Sequence, residues 1–337
     1  MNAAMSSALE RYIGEKTGAA SVTFSDFRLL SGGAIQENWL AHADIEGGPW
    51  HGRLDLVIRA DAPSGVAVSH GRAQEFALLK AVHAVGVSVP EPLWLEAEGQ
   101  VIGRPFMVMR KVAGQATGHL VVKDLSLAPD RAALARRLGE ELARIHRIQP
   151  PREDLAFMPL YEESPALHAV ASMRDYLDGH SGAHPVLEWG LRWAERNAPP
   201  ARPLVLCHRD FRTGNYMVDE NGLTAILDWE FAGWSDPLED IGWFCAGCWR
   251  FGKDQLEAGG IGQREDFYAG YESVSGTPLP REQVFYWEVT AHLRWAVIAL
   301  QQADRHLCGE EQSLLLALTG HLVPELEHTI LQMTEAA

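Results

Sequence analysis

The stretch that most constrains this chain is His208-Arg209-Asp210-Phe211-Arg212-Thr213-Gly214-Asn215, placed directly after the short apolar run Leu204 to Cys207. Thirteen residues after Asn215 comes Asp228, in Ile226-Leu227-Asp228-Trp229-Glu230. Tyr216 to Val218 and Thr224 to Leu227 read as short strands, and Asp219 to Gly222 reads as the turn between them. A hairpin of that kind brings Asn215 and Asp228 to its open end. The fold therefore has to present a loop carboxylate, Asp210, beside an amide oxygen, Asn215, and a second carboxylate, Asp228. Hard oxygen ligands such as Asn215 and Asp228 suit Mg²⁺, which is held by one or two protein groups together with phosphate oxygens. Asp210 is left to orient a hydroxyl and accept its proton.

The rest of the chain falls into two parts. Val22 to Ser31, Asn38 to Ala43, Leu54 to Arg59, Leu93 to Leu95 and Pro105 to Lys111 read as strands. Arg72 to Val85 interrupts them as a helix that stops at Gly86. After Gly114 helical spacing dominates: Arg131 to Ile148, Val186 to Asn197, Leu238 to Trp249, Arg281 to Gln302 and Gln312 to Leu331. A small β-rich part, 1–110, thus precedes a larger and mainly helical part, 111–337. Of 337 residues 47% are hydrophobic, too many for a disordered chain. Twenty-nine Lys and Arg against 45 Asp and Glu give a net charge of −16. That excludes non-specific nucleic-acid or anionic-membrane binding as the expected role. No apolar run reaches the roughly 18–20 residues that span a bilayer, and the N-terminus lacks the pattern of a signal peptide. The expectation is a cytoplasmic protein with its four cysteines reduced.

The His208-Arg209-Asp210 triplet, Asn215 five residues beyond Asp210, and an Asp on the following strand turn resemble the protein-kinase catalytic arrangement. Asp228-Trp229-Glu230 in place of Asp-Phe-Gly resembles the aminoglycoside phosphotransferase family, most of all the kinase-like domain fused to some acyl-CoA dehydrogenases. Gly86-Val87-Ser88-Val89-Pro90, Pro105 to Met109, Leu142 to His146 and Asp236 to Ile241 extend the resemblance over roughly residues 25 to 300. It implies an α+β, bilobal protein-kinase-like fold with a small β-rich N-lobe and a larger helical C-lobe. It implies ATP and Mg²⁺ as cofactors and a small-molecule hydroxyl as acceptor, with a hydroxy acid or hydroxyacyl-CoA favoured over an aminoglycoside.

Residue by residue, the resemblance makes Asp210 the catalytic aspartate and Asn215 and Asp228 the metal ligands. Asp240 corresponds to a buried aspartate that holds the catalytic-loop backbone. Met109 to Lys111 fall at the hinge facing adenine. Ser31 to Asn38, including Gly33, fall at the loop over the phosphates. Arg59 stands where kinases place a phosphate-pairing lysine, and Glu75 on the next helix is its partner. Arg212, two residues after Asp210, is placed to neutralise charge on the transferring phosphoryl group. The competing reading is a non-catalytic nucleotide-binding scaffold, motivated by Arg59 and the unusual phosphate loop. His208 and His146 read as buried scaffold residues, and Cys245 and Cys248 as buried thiols. Trp234, Trp287 and Trp295 are candidates for lining an acceptor pocket, and Arg294 for meeting an acidic acceptor. The oligomeric state, monomer or homodimer, stays open.

Overall fold

A computed structural model describes residues 2–30, 36–61 and 69–335. Gly33 and most of the expected phosphate loop lie outside the described residues. The chain starts with helix α1 (Asn2–Thr17), followed by strands β1 (Ser21–Leu29), β2 (Gln36–Glu46) and β3 (Gly52–Asp61). Helix α2 (Arg72–Ala84) precedes β4 (Pro92–Glu96) and β5 (Phe106–Arg110). The five strands form one antiparallel sheet in the order β1-β2-β3-β5-β4.

Alternation decides what each sheet face does. Leu56, Ile58, Ala60, Phe106 and Val108 face one way and form a core with Leu9, Tyr12 and Ile13 of α1. Those three residues sit at i, i+3 and i+4, one face of a helix. The strand-rich reading of the first hundred residues did not anticipate α1. On the opposite face Met107 and Met109 pack with Leu78, Leu79 and Val82 of α2. Arg59 pairs in register with Met107 and so shares that face.

The second part is mainly helical: α3 (Gly118–Lys123), α4 (Arg131–Ile145), α5 (Pro165–Gly179) and α6 (Pro185–Arg196) come first. Then follow β6 (Val205–Cys207), β7 (Tyr216–Asp219), β8 (Gly222–Ile226), β9 (Gly233–Ser235), α7 (Pro237–Cys245), α8 (Arg264–Ser275), α9 (Arg281–Leu307), α10 (Leu314–Gly320) and α11 (Val323–Glu335). Helix α4 buries Leu134, Leu138, Leu142 and Ile145, and the Asp130 side chain caps it by accepting from the Ala133 N–H at 2.9 Å. Helices α4 and α8 approach closely at Gly139 and Gly270. A Cβ on Gly270 would fall inside the Arg136 carbonyl, and one on Gly139 inside the Phe267 carbonyl.

The long α9 runs through the helical core. Gly242 lets α7 lie against it, because a Cβ there would come within 2.5 Å of Trp287. Two expected helices are shorter than the pattern suggested. The segment from Leu238 ends its α-helix at Cys245, two residues before Gly247. The segment from Gln312 breaks after Gly320, where Pro324 opens a new first turn. Among the described residues no helix is long and apolar enough to cross a membrane.

Candidate active site

Strand β6 delivers the loop that starts at His208. The His208 imidazole is fully buried and donates from Nε2 to the Leu227 carbonyl at 2.7 Å. Its Nδ1 accepts from the Asp210 N–H at 3.3 Å. The side chain thus ties the loop to the residue before Asp228. Asp240, fully buried on α7, accepts from the His208 N–H at 2.7 Å and from the Arg209 N–H at 2.7 Å. Its Oδ2 also lies 3.2 Å from His146 Nε2, while His146 Nδ1 meets the Tyr271 hydroxyl at 2.9 Å. Burial alone would raise the Asp240 carboxyl, but His146, His208 and the loop amides outweigh it and hold it below the usual carboxylate value. Arg209 is in left-handed backbone, φ 62°. The Asp240 bonds hold it there.

The hairpin forms as its sequence suggests. Tyr216 pairs with Ile226 across β7 and β8, and the Leu227 N–H donates to the Asn215 carbonyl at 2.8 Å. At the turn, Asp219 Oδ1 accepts from the Asn221 N–H at 2.7 Å and the Gly222 N–H at 3.2 Å. Asn215 and Asp228 therefore flank the open end. The Asn215 amide nitrogen donates to the Asp210 carbonyl at 3.0 Å and to Asp210 Oδ2, so its own oxygen is turned to act as acceptor. Asp228 adopts left-handed backbone, φ 58°, and its side chain keeps 39% of its surface exposed. An amide oxygen and an open carboxylate side by side match the donor set that Mg²⁺ prefers.

Arg59 closes the arrangement from the sheet. Its Nη1 donates to Asp228 Oδ1 at 3.1 Å, and its Nε lies 3.2 Å from Glu75 Oε1. Glu75 is also paired with Arg72, whose Nε donates to Asp61 at 2.8 Å. Burial opposes the Arg59 charge, but Glu75, Asp228 and Glu230 together raise its pKa well above the ordinary arginine value. The residue is held as a cation facing the loop.

Asp210 itself is gripped from several sides. Its Oδ1 accepts from Arg212 Nε at 3.0 Å and from the indole N–H of Trp243 at 3.0 Å. The Arg212 guanidinium lies 4.8 Å from the centre of the Trp249 ring. Sequence reasoning had not singled out Trp243 for this role. Its signal was its place on α7 three residues after Asp240, one turn along the same face.

Residues 26–277 match the phosphotransferase enzyme family. The chain belongs to that family. Acyl-CoA dehydrogenase family member 10 of Mus musculus is 25% identical over 288 residues, covering 80% of this chain and 26% of the mouse protein. The chain thus spans about a quarter of that relative's length. A presumed aminoglycoside phosphotransferase of Ralstonia eutropha JMP134 superposes with a TM-score of 0.74 at 19% identity, covering 98% of both chains. A thermostable mutant of aminoglycoside phosphotransferase APH(4)-Ia, in ternary complex with ADP and hygromycin B, superposes with a TM-score of 0.61 at 16% identity, covering 97% of this chain and 98% of its own. The fold is the α+β kinase-like fold of these neighbours.

The other expected positions of this phosphotransferase family member sort as follows. Met109 lies within β5, buried and paired with β3 and β4. The Lys111 N–H is spent on the Asp55 carbonyl at 2.9 Å. That amide is committed within the sheet and is not free to meet a purine. Trp287 and Arg294 line a pocket between α5, α7 and α9 together with Trp243. Trp234 lines an adjoining groove. Trp295 lines neither, and packs at a tilt against Trp249, with ring centroids 4.8 Å apart. Cys245 is buried and Cys248 partly so; both thiols are free, with Cys245 pushed up to about 12 by burial and then by Glu288.

Proposed function

We propose that the chain transfers the γ-phosphoryl group of MgATP to a hydroxyl of a small molecule, with a hydroxy acid or hydroxyacyl-CoA preferred over an aminoglycoside. The observation that carries this is the convergence of Asp210, Asn215 and Asp228 at one end of the hairpin, with Arg59 reaching Asp228 from the sheet. The preference among acceptors leans on the likeness to acyl-CoA dehydrogenase family members.

In this reading Asn215 and Asp228 hold Mg²⁺, which when bound offsets negative charge on the phosphate oxygens. Residues 1–110 hold the nucleotide, with Arg59 anchored by Glu75 and directed at the phosphates. Met109 and the chain around Lys111 wall the base. Residues 111–337 hold the acceptor. Asp210, oriented by Asn215, Trp243 and Arg212, accepts the acceptor's hydroxyl proton as the oxygen attacks phosphorus. Arg212 adds positive charge beside the transferring group, where most of the catalysis in such a reaction resides.

The test couples melting curves to ADP release. MgATP at millimolar concentration raises the melting temperature, and a panel of hydroxy acids, hydroxyacyl-CoA thioesters and aminoglycosides identifies an acceptor. Asp210→Asn keeps the MgATP shift and loses roughly 10²–10⁴ of turnover. No thermal shift and no ADP release with any acceptor would refute the proposal. The Arg for Lys exchange at position 59 motivates a second reading, a nucleotide-binding scaffold. A MgATP shift without turnover, unaffected by Asp210→Asn in a cellular assay, would select it.

A further inference from the structure

The pocket between α5, α7 and α9 carries an unbalanced charge. Arg209 and Arg294 both line it, and Glu239 is the acidic residue lining it among the described residues. Glu239 Oε1 is shared: Arg209 Nε donates at 3.2 Å and Arg294 Nη1 at 3.3 Å. The other carboxylate oxygen accepts from the Ser235 hydroxyl. One carboxylate thus answers two guanidinium groups. The Arg294 guanidinium lies 4.6 Å from the centre of the Trp243 ring. Burial, and then the neighbouring Arg209, pull the Arg294 pKa below the ordinary arginine value, against the opposing pull of Glu239, Asp210 and Asp240.

The remaining walls include Trp243, Trp287 and Met173, which suit a short carbon chain. Trp243 connects this pocket to the reacting centre, since the same indole that floors Arg294 donates to Asp210.

Resting on the phosphotransferase reading above, we propose that Arg294 and Arg209 form a clamp for the carboxylate of the acceptor, whose hydroxyl then points toward Asp210. The clamp sets specificity: it favours small hydroxycarboxylates and disfavours neutral esters and polycations. A carboxylate placed there takes the N–H groups that Glu239 leaves over, in the bidentate geometry that arginine favours.

Tryptophan fluorescence tests the clamp without nucleotide, because Trp243 and Trp287 line the pocket. Hydroxycarboxylates of three to six carbons are titrated beside their methyl esters, with 0.15 M salt throughout to screen non-specific attraction. The expected result is at least tenfold weaker binding of the ester. Arg294→Gln abolishes that discrimination, and Arg294→Lys restores part of it while melting like the wild type. Equal binding of acid and ester, no binding of any acid, or discrimination unchanged in Arg294→Gln would overturn the clamp. ADP release is read separately. Acid binding without ADP release leaves the clamp standing and removes the transferase reading. ADP release with esters or aminoglycosides, equal to that with acids and indifferent to Arg294→Gln, does the reverse.

Discussion

The Arg59 guanidinium on β3 donates to the Asp228 carboxylate at 3.1 Å, joining residues 169 positions apart, while Glu75 holds its Nε at 3.2 Å. Arg59 therefore sits on the same carboxylate that is proposed to receive Mg²⁺. Glu75 keeps the arginine in place when that contact yields. Arg59→Lys retains a cation near Glu75 but cannot fork to both carboxylates. It should lower the Mg²⁺ concentration needed for half-maximal MgATP stabilisation and raise the KM for ATP. Arg59→Ala should cost roughly 10²–10³ in kcat/KM, the scale of losing a positioned donor to developing charge. Steady-state kinetics across a Mg²⁺ series checks both. Unchanged Mg²⁺ dependence in Arg59→Lys would mean that Arg59 and the cation do not compete.

Asp240 is the second pivot, because two consecutive loop amides and His146 converge on one buried carboxylate. Asp240→Asn replaces one accepting oxygen by an amide NH₂, a donor facing N–H donors. The expected loss is about 3–5 kcal/mol of stability, the range for breaking a buried charge pair, together with loss of turnover. The lowered folded pKa sets the sign with pH: the stabilisation is present above the unfolded carboxylate pKa of about 3.9 and is lost as pH falls through the lower folded value. Urea titrations of both proteins at neutral pH give the difference. A change below about 1 kcal/mol, the size of an ordinary neutral hydrogen bond, would show that the loop is held by something else.

Trp243 separates orientation from packing. Trp243→Phe keeps an aromatic ring under Arg294 but removes the N–H that reaches Asp210. A hydrogen bond to a charged group is worth about 1.5–3 kcal/mol, so kcat should fall roughly tenfold to a hundredfold. The MgATP-induced thermal shift should stay as in the wild type. A loss confined to KM would instead place Trp243 with the acceptor alone.

How much of this was legible beforehand follows from the range of each interaction. The sheet strands, the helix from Arg72 and the hairpin from Tyr216 announce themselves through period, turn residues and stops, which are local. The grouping of Asp210, Asn215 and Asp228 was legible because all three belong to one loop and one hairpin. Helix α1 carries its signal mainly in Leu9, Tyr12 and Ile13, with the charged Glu10 and Arg11 between them. The clamp pocket was less legible. Arg209, Glu239 and Arg294 come from a loop and two different helices, and only packing of α7 against α9 at Gly242 brings them together. Which backbone groups of Met109 to Lys111 stay free was not legible, because the bond from the Lys111 N–H to the Asp55 carbonyl depends on how β3 and β5 end.

Asp236 provides a prediction whose sign is set by burial. It is nearly fully buried at the start of α7, where Oδ1 caps the helix by accepting from the Leu238 N–H at 2.8 Å. Burial, partly opposed by that bond and by Arg202, raises its carboxyl from 3.8 to about 6. The folded protein then keeps this proton up to about pH 6, whereas the unfolded chain releases it near pH 4. Between those values the folded state binds more protons, so stability falls as pH rises, and the full penalty holds above pH 6. A difference of about two units corresponds to on the order of 3 kcal/mol. Asp236→Asn keeps an oxygen for the Leu238 N–H and has no proton to lose. Its stability should therefore exceed that of the wild type by about 1 kcal/mol near pH 4.5 and by up to about 3 kcal/mol near pH 7.5. Urea titrations at both pH values measure the gap, and a gap that fails to widen with pH would mean that Asp236 is ionised in the folded protein at no cost.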